Sequence, residues 1–418
     1  MAHTVDPVAL PVGGTAPARS RSWIALVLGA VTAAACTASP TTTGGTTGQI
    51  GNLSFVPAGE HVTAPSSGVI TLADIDGNGT SDIVTQHLLE QRVDVRLNAG
   101  DGRFPVDGVR STVLPYEPGS VALADLDGDR HHDLVISSRG PDREYVHVRT
   151  GDGTGGFAAA PTPPYATRAS APGYKPAVEI ADVDGDQDLD IIVGNGRRPA
   201  LDILLGDGAG SFSAGRGIDL PPDLELYAFG LGNVDGDEHV DLVVTGTGPQ
   251  TAPGPVTGGR IVMLPGAGGG TFGGPHEIRA PVAGGPRLLS TSDLDGDGLA
   301  DLLLGHERRG LLTVLHNRNG QFLPAVGSPF ELPDESYEVA VADLDLDGFV
   351  DLAVPTDRAL VVLLSARTTF VPAAGSPYPV GPGAYRVATG TVDDDRLPDL
   401  VASSFDGPSA TLLLGTRA

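Results

Sequence analysis

Seven copies of a short acidic segment, spaced about 50 residues apart, constrain the fold of this chain more than any other feature. The first copy reads ADIDGNGTSDIV at 73–84. The others occupy 124–135, 181–192, 232–243, 292–303, 342–353 and 390–401. A repeat of this length is typical of propeller blades and exceeds the unit of helical solenoids. The spacing therefore predicts an array of similar β units.

Each unit reads as four short strands joined by turns. In the second repeat, apolar segments at 121–125, 134–137 and 145–149 predict three strands, and a fourth begins at Phe157. Glycine and proline, with 59 and 35 copies, separate these segments and disfavour long helices. A four-stranded blade is the unit of a propeller. We therefore predict an all-β fold, a seven-bladed β-propeller over residues 51–418.

The two ends of the repeat region are out of phase, which predicts how the ring closes. A phenylalanine follows a glycine-rich turn between acidic segments, at Phe104, Phe157, Phe212, Phe272, Phe322 and Phe370. Phe55 precedes the first acidic segment, whereas the chain stops after 412–415 without reaching an eighth phenylalanine. We expect the N-terminal strand to complete the last blade, which removes two exposed sheet edges. An open row of β modules would leave this offset unexplained.

The first 50 residues have the pattern of an export signal and a tether. Arg19 and Arg21 precede an apolar run at 23–35, which is too short to span a bilayer. Residues 1–35 resemble a bacterial lipoprotein signal, which implies cleavage before Cys36 and acylation of its thiol. The alternative is a simple secretory signal with an incidental cysteine. The Thr/Gly-rich segment 36–50 reads as a flexible tether, so we expect an extracytoplasmic protein that meets the membrane only through a lipid on Cys36.

The acidic segments have the composition of calcium loops. Counted from the first acidic residue, positions 1, 3, 5 and 9 carry oxygen ligands, as in Asp125, Asp127, Asp129 and Asp133. Carboxylates this close repel one another unless a cation lies between them, and an all-oxygen set suits Ca²⁺. Position 7 varies freely, as expected if only its backbone carbonyl coordinates. Position 12 is mostly apolar, which excludes an EF-hand with its bidentate glutamate.

These loops resemble the FG-GAP/VCBS repeat family, calcium-loaded propellers that include the head of integrin α-subunits. The resemblance covers roughly 51–418 and implies ligation through positions 1, 3, 5 and 9 and through the carbonyl of position 7. The implied ligands of the first four loops are Asp74, Asp76, Asn78, Thr80 and Asp82; Asp125, Asp127, Asp129, His131 and Asp133; Asp182, Asp184, Asp186, Asp188 and Asp190; Asn233, Asp235, Asp237, His239 and Asp241. Those of the last three are Asp293, Asp295, Asp297, Leu299 and Asp301; Asp343, Asp345, Asp347, Phe349 and Asp351; Asp393, Asp395 and Asp399.

Some loops depart from the pattern. Asn78 and Asn233 replace aspartate but keep an oxygen, and Leu346 replaces the glycine of the other loops, although Gly348 follows it. In the seventh loop Thr391 stands at position 1, so we expect this site to be weak or empty. About six bound Ca²⁺ ions are predicted in total.

Charge and motifs exclude several classes of function. Lys+Arg 26 against Asp+Glu 52 gives a net charge of −26, which argues against binding nucleic acid through its phosphates. The chain contains no G-x-S-x-G elbow, no H-E-x-x-H zinc motif and no phosphate-binding loop. We therefore expect a monomeric binding or adhesion module rather than an enzyme. A calcium-dependent polysaccharide lyase or hydrolase is the alternative, and a purely structural surface protein is a third possibility.

A set of tyrosines and one arginine predicts a ligand-binding face. Tyr227, Tyr337 and Tyr385 each lie six residues before a loop, and Arg287 has the same offset. In a propeller these positions surround the channel mouth opposite the calcium loops. Aromatic rings and arginine forks suit an extracellular glycan or a carboxylate of a protein ligand. The alternative is that the arginines provide solubility and the tyrosines provide packing.

Overall fold

A computed structural model describes residues 53–62, 67–141, 143–160, 164–168, 177–194, 199–248, 259–280, 286–306, 310–336, 338–404 and 409–417. The predicted signal segment, Cys36, the tether and Tyr337 lie outside these ranges. None of the described segments forms a helix long and apolar enough to cross a bilayer. A single 3-10 turn at Val106–Gly108 is the only helix in the described ranges.

Seven antiparallel sheets confirm the predicted seven-bladed propeller. Blade 1 comprises β2 (Ser67–Ala73), β3 (Asp82–His87), β4 (Arg92–Arg96) and β5 (Val109–Val113). Blade 2 comprises β6 (Glu117–Ala124), β7 (Asp133–Arg139), β8 (Glu144–Gly151), β9 (Phe157–Ala159) and β10 (Tyr165–Ala166). Blade 3 comprises β11 (Ala177–Ala181), β12 (Asp190–Gly194), β13 (Ala200–Gly206), β14 (Phe212–Ala214) and β15 (Ile218–Asp219).

The remaining blades repeat this order. Blade 4 comprises β16 (Glu225–Gly232), β17 (Asp241–Thr247), β18 (Gly259–Leu264) and β19 (His276–Glu277). Blade 5 comprises β20 (Pro286–Ser292), β21 (Asp301–His306), β22 (Leu311–Arg318), β23 (Gln321–Pro324) and β24 (Phe330–Glu331). Blade 6 comprises β25 (Ala340–Ala342), β26 (Asp351–Thr356), β27 (Ala359–Ser365), β28 (Phe370–Pro372) and β29 (Tyr378–Pro379). Blade 7 comprises β30 (Ala384–Gly390), β31 (Asp399–Ser404), β32 (Ser409–Arg417) and β1 (Leu53–Val62).

The outer strand differs in detail from the prediction. In blades 2, 3, 5 and 6 it consists of two short pieces, both paired with the third strand. In blade 1 the strand begins at Val109 rather than at Phe104, and in blade 4 Phe272 forms only an isolated bridge with Gly266. Segments rich in glycine and proline cannot continue a ladder without interruption. In blades 1 to 6 the outer edges are therefore short, which limits edge-to-edge association, whereas the outer strand of blade 7, β1, has ten residues.

The N-terminal strand closes the ring, in agreement with the prediction from the chain ends. Strand β1 pairs antiparallel with β32, from Leu53 opposite Arg417 to Val62 opposite Ser409, with one register shift. The side chains behind this ladder are buried: Leu53 and Leu413 are fully enclosed, and the ring of Phe55 packs edge-on against Tyr378 of blade 6. The first and last parts of the described chain thus form one blade.

The core lies between neighbouring blades rather than within one central layer. At the closing interface, Ile70 and Ile83 of blade 1 pack against Val392 and Val401 of blade 7. Further apolar layers join the other blades in the same way. Because first and second strands are covered on both faces, they carry continuous apolar runs rather than a strict alternation, as in the fully buried β21.

Candidate metal centres in the seven acidic loops

Each acidic segment forms the turn from the first to the second strand of its blade. We call these turns loops 1 to 7, with positions 1–9 at 74–82, 125–133, 182–190, 233–241, 293–301, 343–351 and 391–399. All seven occupy the same place in their blades, because each follows the innermost strand and precedes the second. The propeller therefore carries a circle of carboxylates on one of its two ends.

The early positions of each loop fold its backbone around carboxylate oxygens. In loop 2, Asp125 accepts the N–H groups of Gly128 (2.8 Å) and Arg130 (2.9 Å). Asp127 accepts the N–H of Asp129 at 3.1 Å, and Asp129 accepts that of His131 at 2.8 Å. These are the local side-chain-to-backbone bonds that aspartate forms in tight turns. They gather the oxygens of positions 1, 3 and 5 within one turn.

The carboxylate at position 9 bridges the loop and the third strand. In loop 2, Asp133 accepts the N–H of Leu126 through Oδ2 (2.9 Å) and the N–H of Gly151 through Oδ1 (2.8 Å). The same pair of backbone bonds is formed by Asp82, Asp190, Asp241, Asp301, Asp351 and Asp399. The seven side chains are buried, with at most 1% of the residue exposed. The sequence predicted a ligand at position 9 but gave no indication of its partner on the third strand.

Burial changes the proton affinity of these position 9 carboxyls. Desolvation raises the pKa of Asp82, Asp133, Asp190 and Asp399 to about 6, that of Asp351 to about 7, and those of Asp241 and Asp301 above the usual value. Neighbouring carboxylates of the same loop add to this effect, whereas the backbone N–H donors oppose it. A loop without a counter-cation therefore favours protonation, and a divalent cation would reverse this preference.

The donor sets fit a hard cation. In loops 1 to 4, three carboxylates per loop each offer an oxygen, and the three oxygens lie within 4.8 Å of one another: Asp74, Asp76 and Asp82; Asp125, Asp127 and Asp133; Asp182, Asp184 and Asp190; Asp235, Asp237 and Asp241. An all-oxygen set of this kind suits Ca²⁺.

In loops 2, 4 and 6 the side chain at position 7 packs against a turn of its own blade. The imidazole of His131 lies against Gly153, and that of His239 lies against Gly268, each in the turn after the third strand of its own blade. The ring of Phe349 occupies the same region, with the guanidinium carbon of Arg367 at 4.1 Å from its centre. In these three loops the packing of position 7 on the turn after the third strand is consistent with ligation through its carbonyl only.

The departures from the repeat have visible structural effects. Leu346 adopts a left-handed backbone (φ 56°), as do the glycines at position 4 of loops 1 to 5. Gly348 supplies a second left-handed residue rather than replacing the first. Asn233 accepts the N–H of Gly236 and donates to the carbonyl of Asp237, so it keeps the turn with less charge. In loop 7 Thr391 uses its carbonyl to bind the N–H of Ser81 in blade 1.

Loop 5 differs from all the others in its surroundings. His316 on the third strand points Nδ1 at Oδ2 of Asp301 (3.0 Å) and of Asp295 (3.3 Å). Arg318 contacts Asp295 and also bonds Asp297 at 2.8 Å. The cluster that could hold an ion here consists of Asp295, Asp301 and His316. Neither basic residue was among the predicted ligands, because both lie outside the acidic segment.

Neighbouring blades are connected through the loops. Asn98 in blade 1 donates to the carbonyl of Val392 in loop 7 at 2.7 Å, and Asn317 in blade 5 donates to that of Val234 in loop 4 at the same distance. In blades 3 and 4, the N–H groups of Gly210 and Gly269 bond loops 2 and 3 in the same manner. The conformation of one loop therefore affects how the next blade packs against it.

Of the four residues of the predicted Tyr/Arg face, the structure describes the side chains of Tyr227 and Tyr385. Tyr227 is wrong as a ligand residue: it is 4% exposed, and its hydroxyl accepts a hydrogen bond from Thr247 at 3.1 Å. Tyr385 is half-buried, and the guanidinium of Arg386 lies 4.9 Å from its ring centre. The backbone of Arg287 lies in β20. These three positions all coincide with a register shift in the innermost strand. Such a bulge re-aims a side chain, which accounts for the burial of Tyr227.

A groove between blades 4 and 5 was not predicted. It has a volume of about 670 Å³. Its walls are formed by Val234, Asp235, Met263, Pro265, His276, Glu277, Ile278 and Arg279 on one side and by Gly320, Gln321, Phe322 and Leu323 on the other. Apolar side chains with a few polar groups at the edge are typical of small-molecule sites. Asp235 also belongs to loop 4, so the groove opens beside a candidate metal centre.

Comparison with known structures supports the fold. A lectin from Agrocybe aegerita, described as recognising non-reducing terminal N-acetylglucosamine, superposes with a TM-score of 0.54 at 16% identity, over 82% of this chain and 87% of the lectin. BBS1N, solved in complex with ARL6DN, superposes with a TM-score of 0.55 at 12% identity, over 86% of this chain and 96% of BBS1N. None of the curated proteins matches the sequence.

The loops themselves match a family of repeats. Five overlapping segments, at 74–136, 125–193, 182–244, 233–304 and 293–354, match the FG-GAP-like repeat. Each match begins at position 1 of one loop and ends in the strand that directly follows the next loop. The unit recognised is therefore the loop together with its blade. These segments cover well over half of the sequence, and the chain belongs to the FG-GAP-like repeat family.

Proposed function

We propose that this protein is a calcium-stabilised, extracytoplasmic binding module whose ligand is a carbohydrate. The observation that carries the calcium assignment is the repeated oxygen cluster of the loops, with a buried carboxylate at position 9 of each. The groove between blades 4 and 5 supports a binding role. The family and the fold leave the ligand open, because one propeller scaffold serves many functions.

Calcium is proposed because the loops concentrate negative charge that the protein does not otherwise neutralise. The chain has 52 acidic and 26 basic side chains, and the loops hold a large share of the acidic ones. Bridging two strands through position 9, a bound ion would stabilise the native blade and not the unfolded chain. Each site then adds RT ln(1+[L]/Kd) to stability. Millimolar Ca²⁺ outside the cytosol would suffice for sites of modest affinity.

Chelation tests this part of the proposal. We expect excess chelator to lower the melting temperature strongly, and metal analysis of the loaded protein to count about six Ca²⁺ ions, with loop 7 weak or empty. Mg²⁺ at equal concentration should restore little of the lost melting temperature, because this ion demands a near-ideal octahedral site. An unchanged melt in chelator, or a count of two or fewer ions, would contradict the assignment.

The groove between blades 4 and 5 is the proposed binding site. Met263 and Leu323 offer apolar surface for the C–H face of a sugar ring, whereas His276, Arg279 and Gln321 offer polar groups for its hydroxyls. The lectin described above has a similar fold, which makes a glycan a natural first ligand to test. Tyr385 on the channel face remains a second, weaker candidate.

A glycan array on the calcium-loaded protein tests the ligand. The affinity for any glycan that binds should fall at least about tenfold in the Arg279→Ala or Gln321→Ala variant. It should remain unchanged in Arg358→Ala, because Arg358 is an exposed arginine of blade 6 that lies away from the groove. The melting temperature should stay within about 1–2 °C in all three variants. If neither glycans nor proteins bind, a structural role replaces the binding role.

A calcium-dependent polysaccharide lyase or hydrolase is the alternative function on the same scaffold. It predicts release of unsaturated or reducing sugar ends from the bound polymer, whereas a binding module depletes the ligand without turnover. Assaying the products from every array hit distinguishes the two. Lipidation at Cys36 would place the module at the cell surface and is tested separately below.

A further inference from the structure

We propose that loop 5 is a separate metal site that binds a divalent transition-metal ion of the Zn²⁺ class, with His316, Asp295 and Asp301 as ligands. This inference refines the proposed function, since it assigns loop 5 to a different metal. It rests on that function only for the assignment of calcium to the other loops. It is based on one nitrogen donor, on the changed orientation of one aspartate and on buried atoms that lack partners.

The nitrogen donor occupies a position that the other blades fill differently. The N–H of Asn317 binds Oδ1 of Asp301, and His316 immediately precedes it on the third strand. The residues at the equivalent place in the other six blades are Leu97, Thr150, Leu205, Pro265, Leu364 and Leu414. None of these can ligate through nitrogen. Of these seven third-strand positions, only that of blade 5 places an imidazole against the loop carboxylates.

Asp295 is oriented differently from its counterparts. In the other six loops, Oδ1 of the position 3 aspartate accepts the N–H of position 5 at 3.0–3.2 Å. In loop 5 the N–H of Asp297 bonds Asp293 instead. Asp295 turns its Oδ2 toward His316, and its Oδ1 has no hydrogen-bond partner among the described residues.

These donors are shielded from water. The side chains of Asp295 and His316 are each 6% exposed, and that of Asp301 is fully buried. A buried carboxylate oxygen without a partner is costly, and an ion in the cluster would satisfy it. One ligand atom from each of the three residues lies within 4.8 Å of the other two. Two carboxylates and one imidazole match a zinc-type centre with an open position, whereas Ca²⁺ prefers oxygen alone.

Arg318 serves as a provisional counter-ion of this site. Its guanidinium pairs with Asp295 and Asp297, but its side chain is 41% exposed and can swing toward solvent. When the metal binds, it replaces the proton on Nδ1 of His316 and displaces the contact between Arg318 and Asp295. Arg318 therefore competes with the ion, and its removal should tighten binding.

The test is a competition in excess calcium. The protein is stripped of metal, loaded with millimolar Ca²⁺ and dialysed against one equivalent of Zn²⁺, and both metals are counted by atomic emission. We expect one retained Zn²⁺ and about five Ca²⁺ per chain. Co²⁺ in place of Zn²⁺ should give a visible absorption band. Failure to retain either transition metal overturns the inference, whereas the calcium count decides the proposed function independently.

Variants assign the site to its residues. His316→Leu, which installs the residue of blades 1, 3, 6 and 7, should weaken Zn²⁺ binding at least about 100-fold. His316→Gln should bind Ca²⁺ in its place and covers the case in which the leucine variant fails to fold. His147→Leu, at another buried histidine, should retain Zn²⁺, and Arg318→Ala should bind it more tightly. Equal Zn²⁺ retention by wild type and both His316 variants would overturn the assignment.

Discussion

The backbone N–H of Ser81 donates to the carbonyl of Thr391 at 2.6 Å, across the interface at which the first blade meets the last. The two residues are equivalent to Ala300 and Asn233, which form the same bond between blades 5 and 4. Position 8 of one loop thus bonds position 1 of the preceding loop at two interfaces. The closing interface is therefore built like an internal one, and substitutions there should destabilise the whole ring.

Gly390 tests how closely the first and last blades approach. A Cβ at this position would lie 2.6 Å from Oγ of Ser81 and 2.8 Å from Cβ of Leu72. We expect Gly390→Ala to lower the free energy of unfolding by about 1–3 kcal/mol, because one blade must move away from the other. Gly274→Ala, where a Cβ meets nothing within 4 Å, is the matched control. Equal denaturation midpoints for the two variants would refute the close approach.

Asn98 tests the hydrogen bonds that join loop 7 to blade 1. Its amide donates to the carbonyls of Ser81 (3.1 Å) and Val392 (2.7 Å), and its residue is 2% exposed. Asn98→Ala should cost about 2–4 kcal/mol, because two buried carbonyls lose their donor. Val113→Ala, at a residue 72% exposed in the same blade, should cost less than about 0.5 kcal/mol in the same chemical denaturation experiment.

The pH dependence of stability should change sign with calcium. Because burial raises the native pKa of Asp133 and Asp190 to about 6 and of Asp351 to about 7, the native state binds protons more tightly than the unfolded chain. In chelator the melting temperature should therefore fall as pH rises from about 4.5 to 7. In excess Ca²⁺ it should rise over the same window, because protons and the ion compete for these carboxylates. Parallel slopes in the two melting series would contradict ion binding at position 9.

Replacing Leu346 by glycine should stabilise the protein, whereas most substitutions destabilise it. It is 52% exposed and has φ 56°, a conformation that costs a non-glycine residue about 1–2 kcal/mol. Leu346→Gly should thus raise the free energy of unfolding by about 1 kcal/mol. Leu323 is similarly exposed (53%) but lies in a strand, so Leu323→Gly should lower it. A loss of stability in both variants would show that the leucine side chain outweighs its backbone strain.

Lipidation is tested at Cys36. Expressed in a bacterium that processes lipoproteins, the wild-type protein should partition into the detergent phase, because acylation buries a hydrocarbon chain. Cys36→Ser should appear in the aqueous phase or accumulate as an unprocessed precursor. Mass spectrometry of the mature N-terminus identifies the modification. If both proteins remain aqueous, the segment is a simple secretory signal.

Much of the architecture could be predicted because the repeat marks the same structural position seven times. An acidic turn flanked by apolar strands indicates both the loop and its neighbours, and the phase offset of Phe55 indicates the closing strand. The outer strands were predicted less well, since two- and three-residue pieces such as β9 and β10 depend on pairing rather than on their own pattern. Phe104 accordingly precedes its strand rather than opening it.

The errors at the candidate sites have similar causes. Tyr227 was expected at a surface, but a bulge in β16 turns it toward Thr247, and a bulge cannot be read from alternation. His316 and Arg318 lie 15 and 17 residues beyond Asp301, on a strand that returns to the loop only in the folded blade. Their contact with loop 5 depends on strand register, and neither residue type is unusual enough to mark it in the sequence.

The pairing of β1 with β32 also determines the order in which the molecule can be completed. Leu53 and Arg417 become partners only after the ribosome has added every residue between them. Blades 1 to 6 can form in sequence during synthesis, whereas blade 7 combines the early strand β1 with three strands that are made last. Until then β1 has no ladder to join, and closing so long a loop is slow. Closure of the ring is thus the last step of folding. Truncation near 410 should leave an unclosed, aggregation-prone chain rather than a shortened propeller.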